Sequence, residues 1–387
     1  MTAEQSAFLA LLRDFASGGE AELPDGLDWE ALYEIAKSQS LIGLCYVVLR
    51  DRGASSETLE RFHPGFYSEV YHAANRAACM VAFAEKAAEQ GIALLPFKGW
   101  AVKDCWPVPA LRTMGDLDVL IHTEDREGTD AIMKALGYAR FIDNHAVWTY
   151  TERDVMFELH DHMFYEYLAN DFDYRGYFDH AWERGREPGF QLCFLLTHMA
   201  KHITNSGLGF RFFLDLVFFC RTHDTLDWEG VKAELEALRL RGFAASCFAL
   251  CRAWFGYESP LAERQLDPAF EAFVTEKMFR DGVFGLKNKQ NAAAHTAKEV
   301  KRAKGPYWLT ALDLTRKKLF PPYEDMQLIP WYAFVDGRPW LLPAAWVYRW
   351  GYCLAHKRKH GTALLAEPFT KRETVERRER LIRDWGL

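Results

Sequence analysis

The stretch RTMGDLDVLI, residues 112–121, alternates acidic and apolar side chains. On a β-strand successive side chains point to opposite faces, so Asp116 and Asp118 would share one face while the apolar residues face a core. Two carboxylates on one face repel each other unless a cation lies between them. Mg²⁺ takes such oxygen ligands and keeps positions free for phosphate. The stretch predicts a strand that carries a metal-binding carboxylate pair; the alternative is two surface acids on an edge strand.

Two other segments place polar residues where such a site needs them. Lys98 and Gly99 follow the apolar run 92–97 at a predicted helix start. There a glycine and free N–H groups can approach phosphate, and the lysine can neutralise phosphate charge. Glu158 and His160 share one face of a later predicted strand. A carboxylate pair on one strand and a third acid on another is the layout that two-metal phosphoryl chemistry needs.

Basic side chains on two later helices are candidates for substrate binding. His198 and His202 share a face with the intervening Lys201 close by, and Arg211 lies on the next helix. They would form either a second wall of a cleft that binds phosphates or base, or a buried polar network joining two helices. Arg112, just before the carboxylates, is predicted to bind phosphate as well.

Hydrophobic periodicity divides the chain into three parts. Residues 1–90 and 166–387 have helical patterns, and residues 91–165 alternate between strand and helix patterns. This predicts an α+β protein in which a small mixed-sheet module lies between an N-terminal helical segment and a large C-terminal helical region. The predicted strands are 92–97, 117–121, 138–142, 146–150 and 155–162. The predicted helices are 3–17, 28–50, 64–90, 99–106, 123–137, 192–203, 212–222, 227–240, 243–255, 308–318, 342–356 and 372–385.

Composition limits the choice of partners. Of 387 residues, 49% are hydrophobic and 26% charged, a globular balance, and the formal charge is −7. A net negative charge argues against a protein whose whole surface binds nucleic acid. Residues 285–318 nevertheless hold nine Lys and Arg against two acids. That segment is by default a solvated face; the alternative is a funnel for triphosphate or RNA, so nucleic acid is a possible but not a favoured partner.

Cysteine usage and hydropathy predict the compartment. The eight cysteines include no CxxC pair, and the N-terminus has no basic region ahead of an apolar run. No apolar stretch is long enough for a bilayer-spanning helix. We therefore expect a cytoplasmic protein with reduced thiols and no membrane span.

The motifs together resemble the nucleotidyltransferase fold of the DNA polymerase beta superfamily. PFKGWAV, LRTMGDLDVLI and FELH are most similar to a bacterial group of uncharacterised nucleotidyltransferases. The resemblance implies that Asp116 and Asp118 bind Mg²⁺, and that Glu158 completes the site and helps to deprotonate the acceptor. It also implies that the phosphates lie near Lys98 and Gly99.

The resemblance implies a Mg²⁺-dependent transfer of NMP from an NTP to a hydroxyl acceptor, with release of pyrophosphate. One alternative is a metal phosphohydrolase of the HD type, with ligands drawn from Glu158, His160, Asp161, His162, His198, His202 and Asp215. This alternative leaves the carboxylates at 116 and 118 without a role. A second alternative is a catalytically silent, NTP-binding regulatory protein on the same fold.

Overall fold

Helices make up most of the chain, and a five-stranded sheet lies in its first half. The predicted α+β class is therefore confirmed. Among the described residues, no helix has the length and apolar character needed to cross a membrane. The structure, a computed structural model, describes residues 1–20, 22–143, 147–165, 168, 170, 172–205, 207–283, 312–313, 316–317, 319–326, 330–355 and 380–387.

Four helices precede the sheet: α1 (Ala3–Ser17), α2 (Trp29–Ser38), α3 (Ile42–Asp51) and α4 (Ser56–Glu89). The single helix predicted over 28–50 is wrong, because Ser40 takes a left-handed φ of 55° and breaks the chain direction between α2 and α3. The predicted start of the long helix at Pro64 is also wrong. Ser55 accepts a hydrogen bond from the Thr58 N–H and begins α4 a full two turns earlier, with Pro64 inside the helix.

The sheet runs in the order β1-β2-β5-β4-β3. Strands β2 and β5 pair in parallel and the other neighbours are antiparallel, so the predicted mixed sheet is confirmed. Strand β1 has only two residues, because its register with β2 covers residues 95 and 96. Helix α5 has five residues and is also shorter than predicted. The elements are β1 (Leu95–Pro96), α5 (Gly99–Lys103), β2 (Leu117–Leu120), α6 (Arg126–Ala135), β3 (Ala139–Asp143), β4 (Val147–Glu152) and β5 (Val155–His160), with 3₁₀ turns at Pro109–Leu111 and Thr123–Asp125.

Helices follow the sheet, as predicted. The described ones are α7 (Tyr174–Phe178), α8 (Ala181–Arg184), α9 (Pro188–Asn205), α10 (Phe210–Thr222), α11 (Trp228–Ala237), α12 (Arg241–Phe255), α13 (Pro268–Asp281), α14 (Tyr323–Met326) and α15 (Leu342–Ala355), with 3₁₀ turns at Pro330–Val335 and Pro339–Leu341. Helix α13 was not predicted from the sequence, although an aspartate followed by proline, here Asp267 and Pro268, is a common helix start. The helices predicted at 308–318 and 372–385, and the basic segment 285–318, lie largely outside the described residues.

Two large hydrophobic cores, and one small cluster of Met326, Tyr332, Val335 and Ala345, hold the described elements. The larger contains residues of α1 to α3 and of α9 to α13, and the smaller contains one face of the sheet with parts of α4 and α6. Leu117, Val119, Phe157 and Leu159 all lie in the smaller core, as the alternation predicted. The opposite face of β2 and β5 is directed to α9, where Phe97 contacts the ring of Phe194. The division at residues 90 and 165 stays a prediction.

A half-buried carboxylate joins the N-terminal helices. Glu69 of α4 accepts hydrogen bonds from the backbone N–H groups of Ile42 (3.2 Å) and Gly43 (2.8 Å) at the start of α3. These N–H groups have no partner within their own helix. Burial raises the pKa of Glu69 to about 7, in spite of those two hydrogen bonds and the nearby Arg211.

This raised pKa predicts how stability depends on pH. Between the ordinary value of 4.5 and about 7, folded Glu69 holds a proton that the unfolded chain has lost, so the free energy of unfolding falls as pH rises. Glu69→Gln cannot titrate, so its stability relative to the parent should rise by on the order of 3 kcal/mol from about pH 5 to about pH 8. Chemical denaturation measures this difference. Glu34→Gln, on an exposed pair of α2, is the control and should show no such trend.

Candidate active site

The parallel pairing of β2 with β5 sets two carboxylates side by side. Asp118 is the register partner of Glu158, and both point away from the apolar core. One ligand atom each from Asp118, Glu158 and His160 lie within 4.8 Å of one another. Asp116 is not in that group, but its side chain lines the same cavity. The sheet therefore brings all three predicted acids to one site.

Asp118 is surrounded by donors. Its Oδ1 accepts from the Lys98 ammonium at 2.5 Å and lies 2.9 Å from His160 Nε2. Burial by itself would raise the pKa of Asp118, but the Lys98 charge and the His160 hydrogen bond outweigh burial and hold that pKa well below its ordinary value. Asp118 is therefore ionised at neutral pH.

The other two carboxylates are less well compensated. Burial and the neighbouring Asp118 raise the pKa of Asp116. Burial raises the pKa of Glu158 to about 7, and the two aspartates add to the rise while Lys98 opposes it. Lys98 pairs directly with Asp118, and the more distant charges of Arg211 and Lys201 do not bring the pKa values of Asp116 and Glu158 down to their ordinary range, so negative charge at these two acids is under-compensated. A divalent cation with oxygen ligands fits this set of donors.

His160 supports Asp118 from behind the cavity. Burial, followed by the Lys98 charge, lowers the pKa of His160 to about 4, so the ring is neutral at pH 7 and its Nε2–H donates to Asp118. The ring is 4% exposed and meets Phe97 edge-on at 5.0 Å. His160 is the one predicted site residue that does not line the cavity, and its predicted contact with substrate stays a prediction.

A cavity of about 240 Å³ lies between the carboxylates and helices α9 and α10. His198, Lys201 and His202 of α9 and Arg211 of α10 form its second wall, and the two imidazoles meet at 3.0 Å between their Nε2 atoms. The lining residues that were predicted are Lys98, Gly99, Arg112, Asp116, Asp118, Glu158, His198, Lys201, His202 and Arg211. The other lining residues are Gly115, Leu195, Met199 and Phe212, which were not predicted, and Asp215, which was predicted as a ligand in the phosphohydrolase alternative.

Those additional residues had a signal in the sequence. Leu195 and Met199 each stand three residues before one of the two histidines, so helical spacing puts them on the same face of α9. Asp215 lies one turn after Arg211 on α10. The sequence shows that spacing but does not show which basic residue the aspartate binds.

The structure pairs Asp215 with Arg112. Arg112 donates through Nε (3.1 Å) and Nη2 (2.7 Å) to the two carboxylate oxygens, and the Trp106 indole N–H adds a third bond at 2.8 Å. Arg112 is 6% and Asp215 3% exposed, so this is a buried two-pronged ion pair. It anchors the loop before β2 to α10. A direct contact of Arg112 with phosphate stays a prediction.

Arg211 fastens the next residue of that loop. Its Nη1 donates to the Thr113 carbonyl (2.6 Å) and hydroxyl (2.9 Å), and the hydroxyl donates to the Ser40 carbonyl at 2.9 Å. Burial, followed by the charge of Arg112, lowers the pKa of Arg211 to about 9, which still leaves it cationic at neutral pH. Helix α10 therefore fixes the backbone that leads into Asp116.

Gly99 is required by packing. A Cβ at this position would collide with the Arg112 guanidinium and lie 3.1 Å from the Met114 side chain. Helix α5, which begins there, has only five residues and carries a weak dipole. The predicted phosphate contact of Gly99 stays a prediction.

The set of ligands needed for an HD-type phosphohydrolase is not assembled. Asp215 is bound to Arg112 and Trp106, and Asp161 accepts from the Tyr165 hydroxyl. Within the described part of the chain, the group with metal-ligand spacing is the one that contains Asp118.

The buried pair predicts a stability effect. Arg112→Ala strands the Asp215 carboxylate and should reduce the free energy of unfolding by about 3–5 kcal/mol. Arg61→Ala breaks an exposed pair with Glu30 and should change stability far less than Arg112→Ala. Replacing both partners, as in Arg112→Met with Asp215→Leu, should cost less than Arg112→Ala alone. Thermal and denaturant unfolding measure these differences, and an unchanged melting temperature for Arg112→Ala would mean that Arg112 has no structural role.

Comparison with known proteins agrees with this geometry. No curated protein and no solved structure gives a significant match. Residues 25–256, more than half of the chain, match a protein family described as "Uncharacterised nucleotidyltransferase". That range contains both strands with the carboxylates, the loop between them and α10, and all lining residues of the cavity. The chain belongs to this family of nucleotidyltransferases.

Proposed function

We propose that this protein transfers NMP from an NTP to a hydroxyl group of an acceptor and releases pyrophosphate. The observation that carries the proposal is a single cavity with a carboxylate wall on β2 and β5 and a basic wall on α9 and α10. A metal–triphosphate complex has the matching arrangement, because its cation needs carboxylates and its phosphate oxygens need cationic or N–H donors.

Asp116, Asp118 and Glu158 would hold Mg²⁺. The under-compensated charge at Asp116 and Glu158 supports that role, since Mg²⁺ prefers oxygen ligands and shares them with substrate phosphates. A bound Mg²⁺ supplies charge neutralisation for the phosphate that is attacked. Manganese would satisfy the same oxygen donors.

The basic wall would bind the triphosphate. Lys201 and Arg211 bring positive charge to the cavity, and Lys98 stands at its carboxylate end. Burial, followed by the neighbouring His202, lowers the pKa of His198 well below its ordinary value. His198 is therefore neutral and contributes a hydrogen bond rather than a charge. In-line attack then depends on positioning and charge neutralisation.

Glu158 is the carboxylate that we assign to the acceptor hydroxyl. Its side chain is 26% exposed, whereas that of Asp118 is 4% exposed, so an acceptor can reach Glu158 from the cavity. The acceptor is assigned only as a hydroxyl compound. Nucleic acid bound through residues 285–318 is not favoured, and a cytoplasmic location stays a prediction.

The direct experiment follows the α-phosphate of a labelled NTP to its acceptor. The purified protein is incubated with Mg²⁺, each α-³²P-labelled NTP in turn, and a cell extract as the source of acceptor. The proposal expects label on an acceptor, with release of unlabelled pyrophosphate, from one NTP or a subset of them. NTP binding without transfer under any condition would favour the silent regulatory protein instead.

The carboxylates can be tested without the acceptor. Mg²⁺ and NTP together should stabilise the parent by about 2.7 kcal/mol at a hundredfold excess over the dissociation constant. Asp116→Asn and Asp118→Asn should lose this gain, because an uncharged amide is the weaker Mg²⁺ ligand. Without ligand, Asp116→Asn should be at least as stable as the parent, since burial and Asp118 disfavour its charge. Asp118→Asn should be less stable, since Lys98 loses its partner.

The control is Asp104→Asn, which removes a carboxylate that is 69% exposed and paired with Lys103 outside the cavity. Differential scanning fluorimetry reads all four proteins with and without ligand. If both active-site variants keep the full stabilisation by Mg²⁺ and NTP, these aspartates do not hold the metal.

A further inference from the structure

The Lys98 ammonium lies among the carboxylates. Its Nζ is 2.5 Å from Asp118 Oδ1, and the lysine side chain is only 14% exposed. Burial would lower the pKa of Lys98, but Asp118, Asp116 and Glu158 together raise it. The ammonium pairs directly with Asp118 and lies close enough to Asp116 and Glu158 to interact with the charge of all three acids.

The backbone holds Lys98 in place for this contact. Lys98 has φ 50° and ψ −124°, a conformation that side chains other than glycine rarely adopt. Together with Phe97, Lys98 connects β1 to α5. Strand β1 pairs with β2, the strand that carries Asp118. Such a conformation persists only where the surroundings enforce it, and it recurs at functional sites.

A metal ion and the Lys98 ammonium compete for the same carboxylate, that of Asp118. A divalent cation bound to Asp118 would place two like charges within reach of one carboxylate, which is unfavourable in a buried site. The lysine side chain has a flexible four-carbon stem, so its charge can move while its backbone stays fixed. Metal binding at Asp118 therefore favours departure of the ammonium from that carboxylate.

We propose that Lys98 is a built-in counter-cation that keeps free metal out of the carboxylate site and gives up Asp118 when a metal–nucleotide complex enters. This inference rests on the proposed function, because the ammonium then moves to the phosphates. A metal–triphosphate complex carries net negative charge into the cavity that Lys98 lines, so the released ammonium gains an anionic partner. A metal ion alone offers no such partner. The substrate is therefore the complex, and metal and nucleotide enter together.

Lys98→Met tests both halves of the inference, because it keeps an unbranched side chain of nearly the same length and removes its charge. The probe is Mn²⁺, followed by electron paramagnetic resonance, first alone and then with a non-hydrolysable NTP analogue. We expect Lys98→Met to bind Mn²⁺ alone about tenfold more tightly than the parent, and the Mn²⁺–analogue complex about tenfold more weakly. Lys103→Met removes a nearby lysine, the last residue of α5, which pairs with Asp104 instead, and should change neither affinity.

The melting temperature gives a second readout, which remains informative even if a variant is less stable than the parent. Without Lys98 the carboxylates repel, so Lys98→Met and Lys98→Gln should melt below the parent in EDTA. Added Mn²⁺ should raise the Tm of each variant by more than it raises that of the parent. Equal Mn²⁺ affinities and equal Tm gains in parent and variants would overturn the counter-cation.

Failure of the proposed function would look different. Lys98→Met could bind Mn²⁺ more tightly while the parent binds no nucleotide at any metal concentration. That result would support the role of Lys98 as a counter-cation, but it would contradict both the NTP substrate and the joint entry of metal and nucleotide. Tighter Mn²⁺ binding together with unweakened binding of the analogue complex would show that Lys98 excludes metal but does not receive the phosphates. That result would overturn the second half of the inference.

Discussion

The site depends on negative charge that is held out of water. The register of two parallel strands sets Asp118 beside Glu158, and Asp116 stands at the entry of the same strand. Taking an ion out of water is costly unless an opposite charge and hydrogen bonds compensate it. Lys98 and His160 supply that compensation for Asp118, and the other two carboxylates keep raised pKa values. Such a set of carboxylates favours binding of a cation, and Lys98 and His160 stabilise the charge of Asp118 when no metal is bound.

The arginines near the cavity must offset the negative charge of the carboxylates without forming ion pairs with them. Arg112 lies close to the acids, but Asp215 takes its guanidinium in a buried two-pronged pair. Arg211 is bound to the backbone and hydroxyl of Thr113. Both interactions come from one face of α10, so a single helix directs two arginines and fixes the loop that leads into the carboxylate strand. Positioning and charge balance are thus achieved by the same contacts.

The N-terminal helices take part in this arrangement from a distance. The Thr113 hydroxyl donates to the carbonyl of Ser40, the left-handed residue between α2 and α3. Glu69 caps α3 immediately after that turn and lies close enough to Arg211 for their charges to interact. The turn, the loop and α10 therefore form one connected network. This explains why the helices before the sheet share a core with the helices after it.

The sequence by itself determined the α+β class, the mixed sheet and the face on which the acids stand, because a period of two along a strand is a local property that burial on one side enforces. Local pattern failed for strand β1, whose end is set by a distant contact, because the strand stops where its pairing with β2 stops. It also failed for α4, which begins at the local Ser55 cap and continues through Pro64. The sequence did name the basic residues of the cavity and the three acids of β2 and β5. Only the tertiary structure decided which of them bind each other, such as Arg112 and Asp215, 103 positions apart. The strength of a charge pair depends on distance and on exclusion from water, and both are properties of the folded chain.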